Sequence, residues 1–141
     1  MRIGTPVKEL TDACGGFAQA PEKVLAGGPM MGMALVSLEA PVEKGTSGII
    51  ALAAGQLPEE GPCIRCGRCL EVCPIRLMPL DIATAGYAGD VTAAEKLHAL
   101  DCIECGCCTY VCPARRRILT GIRVGKGLIL RNRREARGET I

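Results

Sequence analysis

Aromatic residues are nearly absent from this chain of 141 residues, which has no tryptophan, one phenylalanine and two tyrosines. Aromatic rings supply much of the buried surface of a compact domain, so a chain of this length without them needs another source of stability. The chain also contains ten cysteines. Bound metal or disulfide bridges can replace a large core, and the cysteines are therefore the first candidates for that role.

The sequence also lacks a transmembrane run and a secretory signal. Its longest strongly apolar run, residues 49–54, is far shorter than the roughly 20 residues that a membrane-spanning helix needs. Residues 1–20 carry Lys8, Glu9 and Asp12 and have no continuous apolar stretch. We therefore expect a reducing, cytoplasmic compartment in which the thiols are kept for metal. Five disulfides in a secreted protein are the less favoured alternative.

A third absence concerns nucleotide cofactors. The glycine pairs Gly15-Gly16 and Gly27-Gly28 do not form the G-x-G-x-x-G turn that binds dinucleotides. NADH oxidation is therefore not assigned to these residues, and no catalytic residue is predicted.

Net charge is only +2, but it is distributed unevenly. Residues 114–141 contain nine Arg or Lys against Glu135 and Glu139, so this segment carries +7 and residues 1–113 carry −5. A basic segment can contact an anionic membrane or an acidic partner protein. Because no aromatic residues are interleaved with the cations, we expect no nucleic-acid partner.

Two copies of one cysteine run stand 39 residues apart, and eight of their twelve aligned positions are identical. The spacing in each copy is C-x2-C-x2-C-x3-C-P. The first copy ends at Pro74 and the second at Pro113. Their cysteines are Cys63, Cys66, Cys69 and Cys73 in the first run, and Cys102, Cys105, Cys108 and Cys112 in the second.

This spacing is typical of the runs that hold iron–sulfur clusters in bacterial two-cluster ferredoxins, and it predicts one-electron transfer. Three cysteines at this spacing reach three irons of one cluster. In such ferredoxins the last cysteine of each run binds the other cluster. The hypothesis is therefore two crossed ligand sets. Cluster one would use Cys63, Cys66, Cys69 and Cys112, and cluster two would use Cys102, Cys105, Cys108 and Cys73. A structural zinc site is the competing interpretation, since zinc also accepts four thiolates.

Several other residues could be mistaken for ligands. Cys107 breaks the spacing and is interpreted as a small apolar filler, and Cys14 as a buried structural thiol. His98 has no partner at ligand spacing and is predicted on a helix surface. The methionines between residues 30 and 33 are interpreted as core or interface packing.

The pattern before the cysteines predicts a small α+β unit over residues 1–55. Arg2-Ile3 would end a short strand, and Thr5 would cap a helix with Pro6 at its first position. That helix would stop at Gly15-Gly16. Three apolar stretches bounded by glycine and proline predict strands at residues 24–26, 33–38 and 49–52.

A polar linker is predicted at residues 56–62, followed by a mostly helical cysteine domain over 63–113. Its helices would cover residues 79–87 and 91–100, with Asp90 as the cap of the second. Residues 114–141 are predicted to form a basic amphipathic helix, weakened by Gly121, Gly125 and Gly127.

With these pieces in order, the chain resembles the C-terminal part of the C subunit of the Rnf complex, an ion-pumping ferredoxin:NAD oxidoreductase. The resemblance covers nearly the whole chain. The stretches that carry it begin at Gly4 (GTPVKEL), Gly27 (GGPMMG), Pro41 (PVEKGT), Gly61 (GPCIRCGRC) and Leu100 (LDCIECG).

The resemblance implies a partial β-grasp unit of the soluble-ligand-binding type, then a helical ferredoxin domain with two 4Fe-4S clusters. It implies membrane-bound Rnf subunits and a redox protein as partners, and a peripheral position on the cytoplasmic side of the membrane. The family also has an upstream domain for FMN and NADH. That domain is not among these residues, so a fragment or a split subunit is expected. Two alternatives are a corrinoid-reducing microcompartment subunit and a free-standing ferredoxin-like carrier.

Overall fold

A computed structural model gives the fold and describes residues 2–53 and 59–138. These residues form two compact units, Met1–Leu57 and Pro58–Ile141. The start of the predicted linker, residues 56–58, lies outside the described residues, as do the last three residues of the predicted basic segment. Within the described ranges, no helix is both long enough and apolar enough to cross a membrane.

The first unit contains an antiparallel sheet of three strands in the order β2-β1-β3. The strands are β1 (Lys23–Ala26), β2 (Met33–Ala34) and β3 (Ile49–Leu52). Val24 and Leu25 of the central strand are buried. The predicted strand over 33–38 is much shorter than expected. The strand stops at Ala34 and the chain bends at Val36, and the Ser37 hydroxyl then accepts a hydrogen bond from the Glu39 N–H (3.1 Å) in the turn that follows.

Helix α1 (Val7–Ala13) begins one residue later than predicted, with Pro6 rather than Thr5 at its N-cap. It ends where predicted, since Gly15 and Gly16 both adopt positive φ angles. The predicted strand end at Arg2-Ile3 is wrong. These residues form a turn in which the Thr5 N–H donates to the Arg2 carbonyl (3.3 Å).

The second unit is helical, as the pattern predicts. Pro79 is the first residue of helix α3 (Pro79–Ala88), and the Asp90 side chain caps the next helix by accepting from the Ala93 N–H (2.8 Å). The predicted helix over 91–100 ends early, because His98 adopts a left-handed conformation and a 3-10 turn follows. The helices are α2 (Arg68–Glu71), α3 (Pro79–Ala88), α4 (Val91–Lys96), α5 (Cys107–Tyr110) and α6 (Ile118–Ala136).

The core of the second unit is aliphatic and lies where α6 packs on α3 and α4. Both tyrosines of the unit are exposed, so aromatic packing contributes little, as the composition indicates. The buried side of α6 belongs to the first part of the helix, whereas all its residues from position 130 onward are exposed. The largest fully buried side chains are Ile82, Ile122 and Ile129.

Helices α3 and α6 touch backbone to backbone at Gly86, Gly121 and Gly125. A Cβ placed on Gly86 would overlap the Gly121 carbonyl and lie 3.0 Å from the Gly125 nitrogen. A Cβ placed on Gly121 would lie 2.7 Å from the Ala83 carbonyl oxygen. The sequence interpretation of Gly121 and Gly125 as helix-weakening residues misses this role. Their low helix propensity is offset by the close approach that they permit.

We expect Gly86→Ala to destabilise the second unit by about 1–3 kcal/mol, because the new methyl group forces the two helices apart. Gly127→Ala is the matched control, since it changes a glycine of α6 that has no neighbour within 4 Å of its missing Cβ. The control is expected to gain up to about 1 kcal/mol from helix propensity. The measurement is the anaerobic thermal unfolding midpoint of the purified protein. A Gly86→Ala midpoint equal to that of the wild type would show that this contact is not tight.

Candidate metal centres

The two cysteine runs follow the same backbone path as well as the same sequence pattern. Helices α2 and α5 start directly after Gly67 and Gly106, which adopt φ angles of 77° and 79°. Non-glycine residues also adopt left-handed conformations at two further matched pairs of positions. These pairs are Arg65 with Glu104 (53° and 56°) and Arg76 with Arg115 (54° and 54°).

Each such residue costs on the order of 1–3 kcal/mol, and strain of this kind concentrates at functional sites. One function of this path is to aim backbone N–H groups at cysteine sulfurs. The Arg65 N–H donates to Cys63 Sγ and the Glu104 N–H to Cys102 Sγ, each at 3.4 Å. Hydrogen bonds of this type help to set the potential of a bound cluster.

The first cavity has a volume of about 460 Å³ and is lined by four predicted ligands. They are Cys63, Cys66, Cys69 and Cys112. Cys63 and Cys66 are exposed, while the other two thiols are half-buried. Three of these cysteines come from the first run and the fourth from the second run.

The second cavity is narrower, at about 20 Å³, and is lined by the other four predicted ligands. They are Cys73, Cys102, Cys105 and Cys108. The remaining lining is glycine, proline, leucine and isoleucine, without a charged side chain. The space is about that of one water molecule, so a cluster bound between these thiols would require them to move apart.

The structure thus groups the eight cysteines into two sets of four, each completed by a cysteine of the other run. Within the two described ranges, no three His, Cys, Asp or Glu side chains converge as ligands of one metal ion. A single zinc ion needs four sulfurs about 2.3 Å from one point. In an iron–sulfur cube each thiolate binds a different iron, so two sets of four thiols that do not converge on one point fit a 4Fe-4S cluster better.

Burial controls the acidity of the inner thiols. Desolvation raises the pKa of Cys69 and of Cys102, and it raises the pKa of Cys108 to about 11. Iron binds the thiolate, so assembly of a cluster on these cysteines would have to remove a proton from each of them.

The second run is fixed to helix α6 by an ionic cluster that sequence reasoning missed. The Glu104 carboxylate accepts from Arg123 Nε (2.8 Å) and from Lys126 Nζ (2.6 Å). Lys126 also donates to the Cys102 carbonyl (2.9 Å). The hydrogen bond from Lys126, followed by the bond from Arg123, holds the pKa of Glu104 below its usual value despite partial burial. The sequence signal for this cluster is Glu104 itself, an acid at the position where the first run has Arg65.

Three further contacts hold the start of α6 in place. The Tyr87 hydroxyl of α3 donates to the Arg117 carbonyl (2.8 Å). The Thr109 hydroxyl of α5 accepts from the Leu119 N–H (2.9 Å), which satisfies one of the free donors of the first helical turn. Glu60 lies 3.2 Å from an Arg116 guanidinium nitrogen. The start of the helix is therefore held by α3, by the second cysteine run and by the residues that precede the first run.

The remaining sequence interpretations have mixed outcomes. Cys14 is exposed, so its assignment as a buried thiol is wrong. Cys107 is half-buried outside the core, where its hydrogen bond with Cys105 raises its pKa. His98 is exposed as expected, although it precedes a 3-10 turn rather than lying on an α-helix. The methionines at 30, 31 and 33 are exposed, so the prediction that they pack in the core of this unit is wrong.

Comparison with known proteins identifies the domain and the family. The 4Fe-4S dicluster domain family matches residues 62–115. The C subunit of the ion-translocating oxidoreductase complex of Rhodobacter capsulatus is 50% identical over 97 residues, covering 67% of this chain and 19% of that protein. The C subunit of the Na⁺-translocating ferredoxin:NAD⁺ oxidoreductase complex of Acetobacterium woodii is 47% identical over 137 residues. This match covers 96% of this chain and 31% of that protein.

The corresponding protein of the ion-translocating oxidoreductase complex of Methanosarcina acetivorans is 41% identical over 137 residues, with the same coverage of 96% and 31%. The chain spans about a fifth to a third of the length of these curated relatives. A 4Fe-4S dicluster domain serves electron transport. The chain is therefore a homologue of part of the C subunit of ion-translocating oxidoreductase (Rnf) complexes, and it contains the 4Fe-4S dicluster domain of that part.

Proposed function

We propose that the cysteine domain, residues 63–113, transfers electrons through two 4Fe-4S clusters bound by the crossed ligand sets. The first set is Cys63, Cys66, Cys69 and Cys112, and the second is Cys102, Cys105, Cys108 and Cys73. The supporting observation is that each set lines its own cavity and that no other ligand type lies with the sulfurs in the second one. Four thiols from two distant loops are the donor set that a 4Fe-4S cluster requires.

The chain's own residues would control the two centres in three ways. The thiols bind the irons, the left-handed loop residues aim N–H groups at sulfur, and the aliphatic core excludes water from one side. When bound, the clusters supply the one-electron chemistry, and the protein supplies their spacing and their potentials.

We further propose that this module works within an Rnf-type complex, peripheral to the cytoplasmic side of the membrane. There it would link NAD(H) or flavin chemistry and ferredoxin chemistry to ion transport, with the membrane subunits and a redox protein as partners. Support comes from relatives that are named as subunits of ion-translocating complexes. FMN and NADH would bind outside these residues.

Matches over 137 residues, which include both compact units, favour this role over a free-standing ferredoxin-like carrier. They also favour it over a corrinoid-reducing role, because the relatives that match are C subunits of ion-translocating complexes.

The first unit is proposed to be part of a β-grasp fold, as the resemblance implies. Its support is one helix, α1, together with a three-stranded antiparallel sheet. Residues 40 and 42 accept backbone hydrogen bonds from residues 7 and 4, and they hold the chain on both sides of the helix start.

Anaerobic purification followed by iron and sulfide analysis tests the proposed function. We expect about eight iron and eight sulfide per chain, the content of two 4Fe-4S clusters. After reduction, two interacting EPR signals are expected. Zinc without sulfide, or iron and sulfide in amounts that fit one cluster, would contradict the proposal.

Single substitutions test the crossed ligand sets. Cys73→Ala is expected to remove the same EPR signal as Cys105→Ala, because both thiols line the second cavity. Cys112→Ala should likewise match Cys66→Ala, its neighbour in the first cavity.

Each of these four variants is expected to keep about four iron, while Cys14→Ala, which changes an exposed thiol of the first unit, keeps about eight. A Cys73→Ala spectrum that matches that of Cys66→Ala would show that each run holds its own cluster.

A further inference from the structure

The two cysteine runs are near copies, but the surfaces around their sites carry different charges. Arg65 and Arg68 of the first run stand where the second run has Glu104 and Cys107. Both arginines line the first cavity, together with Arg116 and a single acid, Asp81. No charged side chain lines the second cavity.

The first site is also the more open of the two. Cys63 and Cys66 are exposed, whereas the matching Cys102 and Cys105 are half-buried. Ile64 and its counterpart Ile103 are both exposed, at 65% and 57%, so the difference between the sites lies in the thiols. At the second site Cys108 is only 8% exposed, and Cys102 is half-buried under the ionic cluster of Glu104. A partner can therefore approach the first site more closely than the second.

Two of the three arginines at the first site have no acidic partner within residues 2–53 and 59–138. Arg65 and Arg68 are exposed and, among the residues that the structure describes, form no ion pair or side-chain hydrogen bond. Arg116 is different, because Glu60 lies 3.2 Å from it. Unpaired cations beside an open site create a positive potential that steers negatively charged molecules toward it.

Resting on the proposed function, we propose that the open face formed by Cys63, Ile64, Arg65, Cys66 and Arg68 docks an acidic redox protein and exchanges electrons with it. The isoleucine would supply a central apolar contact, and the two arginines would pair with carboxylates of the partner. In this step one electron leaves the reduced member of the pair and enters the oxidised member, and no bond forms or breaks. The second site would communicate with the partner through the first.

A lipid surface fits this face less well. Recognition of anionic lipids typically takes four to eight clustered Lys or Arg side chains, whereas the open face has two, set around a concave site. Arg65 and Arg68 lie beside the exposed thiols of the first run. This arrangement suits a protein partner, because docking there brings the partner's redox centre close to the thiols.

The test uses stopped-flow mixing of the cluster-loaded chain with reduced flavodoxin, an acidic one-electron carrier whose semiquinone is visible in the optical spectrum. The rate constant for the wild type should fall as salt is added. For Arg65→Glu with Arg68→Glu, we expect a loss of about tenfold or more at low salt and a nearly flat salt dependence. The rate constant of Arg65→Gln with Arg68→Gln should lie between those of the wild type and the glutamate variant. If the glutamate variant does not load its clusters, the glutamine variant is used for the test.

The matched control is Arg134→Glu with Arg137→Glu, which gives the same change in net charge at exposed positions of the basic segment outside the cavity lining. The rate constant of this control is expected to fall by less than about twofold. Redox titration followed by EPR measures both cluster potentials in every variant, so that a change in driving force is separated from a change in docking.

The docking proposal would be overturned if the rate constant fell equally in the control and in the Arg65/Arg68 variants while the cluster potentials stayed unchanged. It would also be overturned by a variant that keeps its rate with flavodoxin but no longer binds vesicles of anionic phospholipid, because the arginines would then serve a membrane. Failure of the proposed function gives a different result, namely absence of iron and sulfide from the wild type.

Discussion

The exchange of Cys73 and Cys112 between the two thiol sets is the constraint on which the second unit depends. Each cavity is completed by a cysteine that lies in the other run, so neither set exists unless the two runs meet. The segment between the runs must therefore turn back on itself, and α3 and α4 make that return. Because each set spans both runs, assembly of either cluster would order the whole unit.

Helix α6 packs on the segment between the two runs and on the second run. It approaches α3 backbone to backbone through Gly86 and Gly121, and it reaches the second run through Lys126 and Glu104. Its buried isoleucines supply core that a chain almost without aromatic rings would otherwise lack. The same helix thus combines a packing face, an ionic contact to the second site and an exposed basic end.

Features set by covalent chemistry or by local backbone rules could be predicted from the sequence. The cysteine spacing reflects the geometry of a cluster, and Pro79 and Asp90 mark helix starts through their own backbone and side-chain properties. Burial could not be predicted in this way. Cys14 and the methionine cluster are exposed because neighbours distant in sequence do not cover them. The packing role of Gly121 and Gly125 could not be predicted for a related reason, since their partner helix is about 35 residues away in the sequence.

Two cysteine runs that are similar in sequence can form two different sites, because a few positions between the cysteines decide the exposure and the charge of each site. Arg65 and Glu104 occupy the same left-handed position, yet one faces solvent and the other is clamped by two cations. The most direct test of the central claim is a crystal structure of the anaerobically prepared protein, phased on the anomalous scattering of iron. The account predicts two iron–sulfur cubes, with Cys112 bound to the cube held by Cys63 and with Cys73 bound to the other. Two cubes that each take all four ligands from one run, or two single zinc ions, would contradict it.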